Sequence, residues 1–135
     1  MSLPKLGVDD NAKLGTRNSK PETFLSMISD EPIAVFITAP NREEARLVAE
    51  TLVTNRLAAC VQILPEIESV YRWQGAIERQ PEVLLIAKTT RSKFTELETE
   101  VRRIHTYETP EIVALAITEG SAPYLEWLMD SVSKD

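Results

Sequence analysis

The sequence predicts an α+β fold: one sheet backed by two helices, with a long two-stranded ribbon and an added helix at the C-terminus. Three observations carry this. Ile33 to Thr38 is a continuous apolar run of strand length, as found in strands covered on both sides. Two later segments repeat their apolar residues at helical spacing, Ala45-Val48-Ala49-Leu52-Val53 and Phe94-Leu97-Val101-Ile104. Between them, Leu57 to Lys88 reads LAACVQILPEIESVYRWQGAIERQPEVLLIAK, two strand-like runs meeting at Gln74-Gly75. With 135 residues, 43% hydrophobic and 27% charged, the chain suits one soluble domain with one core.

Residues 1–31 read as a leader, and residues 32–135 as the domain. The leader is mostly polar, and only Phe24 to Ile28 offers an apolar patch, sufficient for one or two helical turns. Pro40-Asn41 then ends the first strand. Asn41 is a good helix N-cap, with Glu44 three residues on in a capping-box position. Asn55 offers a left-handed stop for that helix.

The ribbon follows. Its first strand spans Ala58 to Trp73 and is interrupted at Pro65, which cannot donate to a ladder. The return strand spans Ala76 to Thr90 with a break at Pro81, and the two prolines fall roughly across from each other. Ile67, Ser69, Tyr71 and Trp73 recur at two-residue spacing, so they share one face. Thr90 or Ser92 caps the second helix, Ile112 to Ile117 is the last core strand, and Ser121 caps the final helix. Pro123 sits in its first turn, and Tyr124, Leu125, Trp127 and Leu128 give its apolar side. The order is strand, helix, strand, strand, helix, strand: the split β-α-β pattern of the ferredoxin-like sandwich.

Composition excludes several functions. A net charge of −6 with scattered basic residues argues against a nucleic-acid binder and implies weak attraction for cations. No apolar run reaches the ~20 residues of a membrane helix. One cysteine, Cys60, precludes an internal disulfide and suits a reducing compartment, so a cytoplasmic location is expected. There is no glycine-rich phosphate loop and no nucleophile elbow.

The remaining candidates have two readings each. Cys60, among Ala58, Ala59 and Val61, is either a small buried hydrophobe or a soft copper ligand. His105, the single histidine, lies past the second helix as a capping residue or a metal ligand. One thiol and one imidazole cannot build a four-ligand site without carboxylates or further copies of the chain. Left alone, the ribbon would expose Ile67, Tyr71, Trp73 and Ile77, which favours a shared home for them.

Several separate motifs, in order, resemble the CutA divalent-cation tolerance family. They are VFITAPNREEARLVAETLV, RLAACVQILPEIESVYRWQGAIE, EVLLIAKTT, HTYETPEIVAL and YLEWL, spread from Ile33 to Val132. The resemblance implies a ferredoxin-like homotrimer whose ribbons wrap from one subunit onto the next. It implies divalent-metal binding, copper first, with Cys60 and His105 in the metal region. Thr106 stands where the family's His-Pro-Tyr-like segment has proline. It further implies that Trp73, Glu82, Lys88 and Tyr107 line a cleft between subunits. An architecture similar to the PII-type signalling trimers makes a scaffold binding a small metabolite the alternative. No enzymatic activity is part of the resemblance, so none is expected.

Overall fold

The computed structural model describes residues 30–133; the leader, including the Phe24–Ile28 patch, lies almost wholly outside the described residues. The described residues from Glu31 onward form one compact unit. Its elements are β1 (Pro32–Ala39), α1 (Arg42–Thr54), β2 (Cys60–Trp73), β3 (Ala76–Thr90), a short 3-10 turn (Arg91–Lys93), α2 (Phe94–Ile104), β4 (Ile112–Ala116) and α3 (Ala122–Val132). The sheet order is β2-β3-β1-β4 with antiparallel neighbours throughout. Each split unit therefore straddles a strand: β1-α1-β2 encloses β3, and β3-α2-β4 encloses β1.

Alternation decides which side becomes core. Ile33, Val35 and Ile37 of β1 pair with Thr89, Ala87 and Leu85 of β3, and all six are buried. Ala45, Val48 and Leu52 of α1 and Leu97 and Val101 of α2 close over this side. Burial of a large aliphatic side chain stabilises by about 1.5–3 kcal/mol, so this interface is the main source of the fold's stability.

Several local expectations are corrected. Asn41 Oδ1 does accept from Glu44 N at 2.8 Å. Glu44 does not complete a capping box, because Thr106 and His105 claim its carboxylate. The left-handed residue after α1 is Arg56 (φ 57°) rather than Asn55, and its guanidinium donates to Ser131 O at 2.9 Å. Neither Thr90 nor Ser92 caps α2. The 3-10 turn intervenes, the helix starts at Phe94, and the two hydroxyls face each other at 3.3 Å. Ser121 stands at the N-cap of α3 without a side-chain cap bond.

Strand β4 is an edge rather than a core strand: Val113 and Leu115 are exposed, and only Ile112 packs on the core. The helices cover one side of the sheet, whereas α3 crosses only part of the other. The ribbon turn is as expected, with Gln74 (φ 51°) and Gly75 (φ 84°) both left-handed, which matches the twist of a two-residue hairpin.

Pro65 has a larger consequence than a break. Leu64 pairs with Leu84, but Ile67 pairs with Glu82, so one extra residue bulges from β2 at Pro65–Glu66. The bulge switches parity. Even positions Cys60, Gln62 and Leu64 below it share a face with odd positions Ile67, Ser69, Tyr71 and Trp73 above it. Pro81 pairs with Glu68, so the two prolines are offset rather than opposed.

Candidate functional site

The bulge creates one long open face. On β2 it carries Cys60, Gln62, Leu64, Ile67, Ser69, Tyr71 and Trp73; on β3 it carries Lys88, Glu82 and Gln80. Ala34, Phe36 and Thr38 of β1 and Val113 and Leu115 of β4 continue it. Leu64, Tyr71, Trp73, Val113 and Leu115 are exposed on this face, with Trp73 at 60%. Ile77 is exposed too, but it pairs with Arg72 and so lies on the opposite face of the ribbon from Tyr71 and Trp73. Ile67 is half-buried.

Two polar clusters occupy this face. In the first, Glu82 is buried and its carboxylate accepts from Ser69 Oγ at 2.6 Å and Tyr107 Oη at 3.0 Å. Tyr71 Oη donates to Gln80 Oε1 at 2.6 Å beside it. The Tyr107 hydroxyl is pushed up to about 12, chiefly by burial and then by the Glu82 carboxylate. It therefore stays a donor to Glu82 through the neutral range.

His105 supports this cluster from beneath. Its ring nitrogens face Thr38 O (Nε2, 2.7 Å) and Glu44 Oε2 (Nδ1, 3.1 Å). A carbonyl only accepts, so Nε2 carries the proton. Nδ1 also lies 3.1 Å from Tyr107 N, and the two rings meet with centroids 4.8 Å apart, tilted by 45°. Glu44 meanwhile accepts from Thr106 N at 3.0 Å and Thr106 Oγ1 at 2.9 Å. The first turn of α1 thus fixes the loop that aims Tyr107 at Glu82. Thr106 supplies through its N–H and hydroxyl an anchoring that proline, lacking both, could not.

The second cluster lies near the start of β2. Lys88 Nζ donates to Gln62 Oε1 at 2.9 Å and stands 5.7 Å from the centre of the Tyr124 ring. Tyr124 Oη is 3.5 Å from Cys60 Sγ. Burial first, and then the thiol, push Tyr124 up to about 12.

Within one chain, then, the expected residues divide. Glu82 and Tyr107 meet. Lys88 is six residues from Glu82 along β3, about 20 Å at ~3.3 Å per residue, and Trp73 is as far in the other direction. Cys60 pairs with Lys88, whereas His105 holds Thr38, which pairs with Leu84. That separates thiol and imidazole by about 13 Å along the strands, with two strand spacings across. Among the described residues no three His, Cys, Asp or Glu side chains are placed to hold a metal. Gln62, Tyr124 and Glu44 complete the clusters; their sequence signals were only strand parity, helix apolarity and a cap position.

A four-stranded antiparallel sandwich with a bulged ribbon and one open, polar-studded face defines the class: a ferredoxin-like protein with a ribbon standing beyond its own core. Residues 33–131 match the CutA1 divalent ion tolerance protein family. The chain is 50% identical over 97 residues to the divalent-cation tolerance protein CutA of Thermus thermophilus, covering 72% of this chain and 94% of that protein. It is 48% identical over 99 residues to a chloroplastic CutA protein of Arabidopsis thaliana, covering 73% of this chain and 54% of the relative. Among solved structures, the Thermus thermophilus protein superposes with a TM-score of 0.74 at 47% identity, covering 76% of this chain and 99% of that one. CutA1 from Oryza sativa gives 0.75 at 42% identity, covering 78% and 96%. The chain belongs to the CutA family of divalent-cation tolerance proteins. No helix among the described residues is long and apolar enough to cross a membrane.

Proposed function

We propose that this chain is a homotrimeric, cytoplasmic binder of divalent metal, copper first, acting in metal tolerance without turnover. The observation that carries the assembly is the open face, where Leu64, Tyr71, Trp73, Val113 and Leu115 stand exposed on a sheet that α3 only partly covers. Each large apolar side chain transferred from water into a neighbouring subunit contributes about 1.5–3 kcal/mol. Family membership supports the metal reading, and the soft Cys60 thiol supports copper within it. The described residues of one chain offer no chelate, so coordination draws on copies of Cys60 or His105 from more than one subunit. The weak 3.5 Å contact with Tyr124 leaves the thiol easier to recruit than the imidazole, whose two nitrogens are engaged.

Copper titration of wild type against Cys60→Ser and His105→Ala tests this. Loss of stoichiometric binding in Cys60→Ser is expected. Equal stoichiometry and affinity in all three proteins would sink a specific site.

A second reading draws on the polar clusters: a PII-like signalling or scaffold trimer that holds a small metabolite between subunits through Lys88, Glu82, Tyr107 and Trp73. The buried, doubly bonded Glu82 carboxylate favours it, because so organised a polar cluster on an otherwise apolar face suits ligand recognition. A non-covalent mass spectrum of the assembled protein should then carry a co-purified small molecule.

A further inference from the structure

Lys88 is a half-buried cation on the open face. Strand pairing sets it between Cys60 on β2 and Ala34 on β1, with Leu115 of β4 beyond Ala34. None of these neighbours brings a negative charge. His105 has Glu44, Arg91 has Glu31 and Arg103 has Glu100, but among the described residues Lys88 has no carboxylate within ion-pair reach. Its visible partners are a neutral amide and an aromatic ring. A charge drawn partly out of water without a counter-charge is costly unless something else neutralises it.

The groups around it are donors. An ammonium has three N–H bonds, and Gln62 takes one. Lys88 can only donate, so the Gln62 oxygen faces it and the Gln62 NH₂ is left as a donor. The Tyr124 hydroxyl, beside Cys60 Sγ, adds an O–H donor and no carboxylate. Within one chain, the nearest carboxylate on this face of β3, Glu82, is about 20 Å away along the strand.

We propose that Lys88, Gln62 and Tyr124 form a binding site for a small oxyanion, a carboxylate or phosphate group, at the foot of the ribbon. The site gives the metabolite reading its charge class and rests on that reading for the claim that this face holds a small molecule. Because the chain carries −6 overall, its long-range field does not draw anions in, and recognition is local to these three donors.

The test titrates the full-length protein with inorganic phosphate and, separately, with succinate at constant ionic strength. The readout is the NMR signals of the Lys88, Gln62 and Tyr107 side chains in wild type and Tyr124→Phe, and of Gln62 and Tyr107 in Lys88→Gln. A saturable shift at Lys88 is expected, and the tighter of the two probes identifies the anion. Lys88→Gln should weaken binding at least about tenfold, and Tyr124→Phe by a few fold, as for one charged and one neutral hydrogen bond. A response that never saturates, or unchanged binding in Lys88→Gln, overturns the proposal. So does a Lys88 signal that stays silent because a neighbouring subunit's carboxylate already neutralises it. Saturable shifts at Tyr107 with Lys88 silent overturn the Lys88 site and leave the metabolite reading standing. No saturable shift at either residue, together with no co-purified molecule, removes both.

Discussion

The two halves of β3 are one strand in two environments. Val83 to Thr90 runs through the middle of the sheet, flanked by β1 and β2, with Val83, Leu85, Ala87 and Thr89 buried under the helices. Ala76 to Pro81 pairs with β2 alone and is exposed at every position. The lower half is held by the chain's own core. The upper half has hydrogen bonds but no core beneath it, and an isolated two-stranded ribbon is marginal in water. In the proposed trimer, Tyr71 and Trp73, on the stretch of β2 paired with this half, meet a neighbouring subunit. On that proposal, stability and assembly belong to different halves of the β2-β3 pair, and substitutions should separate them.

The largest effect belongs to the lower half. Leu85→Ala removes a fully buried side chain and should cost about 2–5 kcal/mol in urea unfolding. The β2 stretch paired with the upper half should answer in mass rather than in fold. Trp73→Glu or Tyr71→Glu should break the oligomer, measured by light scattering, while far-UV circular dichroism keeps its shape; a mutant that stays assembled would erase the contrast. Intermediate in size is Glu44→Ala, which strips the acceptor from Thr106 N and Oγ1 and loosens the loop that aims Tyr107. A loss of about 1–3 kcal/mol is expected, with faster amide exchange at Thr106 and Tyr107.

The smallest effect is alkaline. Burial raises Tyr107 and Tyr124 from 10.0 to about 12, so the unfolded chain loses those protons first. Their contribution is intact below pH 10 and is lost as pH rises toward about 12. Ultraviolet titration should show Tyr107 and Tyr124 ionising late, with the Tyr107 step missing in Tyr107→Phe.

Much of the fold was legible because its signals are local. Asn41 capping α1, the Gln74-Gly75 turn and the alternation of Ile67, Ser69, Tyr71 and Trp73 depend on residues within a few positions of one another. The site was less so, because its bonds join distant positions: Glu44 to Thr106, Gln62 to Lys88, Cys60 to Tyr124. Pro65 shows the limit clearly. A break was readable, but the inserted residue that turns Cys60 and Trp73 to the same face appears only once β3 fixes the register. Glu44 misled for a related reason, since a capping position says nothing about a stronger partner 62 residues away. The edge character of β4 was hidden because an apolar strand reads alike whether its cover comes from its own chain or from a neighbour.

The most direct test of the central claim is the mass of the wild-type protein in solution, by light scattering across a dilution series. The account predicts a stable species at three times the 15.2 kDa chain mass, with Trp73 shielded from quenchers. A clean monomer with Trp73 open to solvent would contradict it.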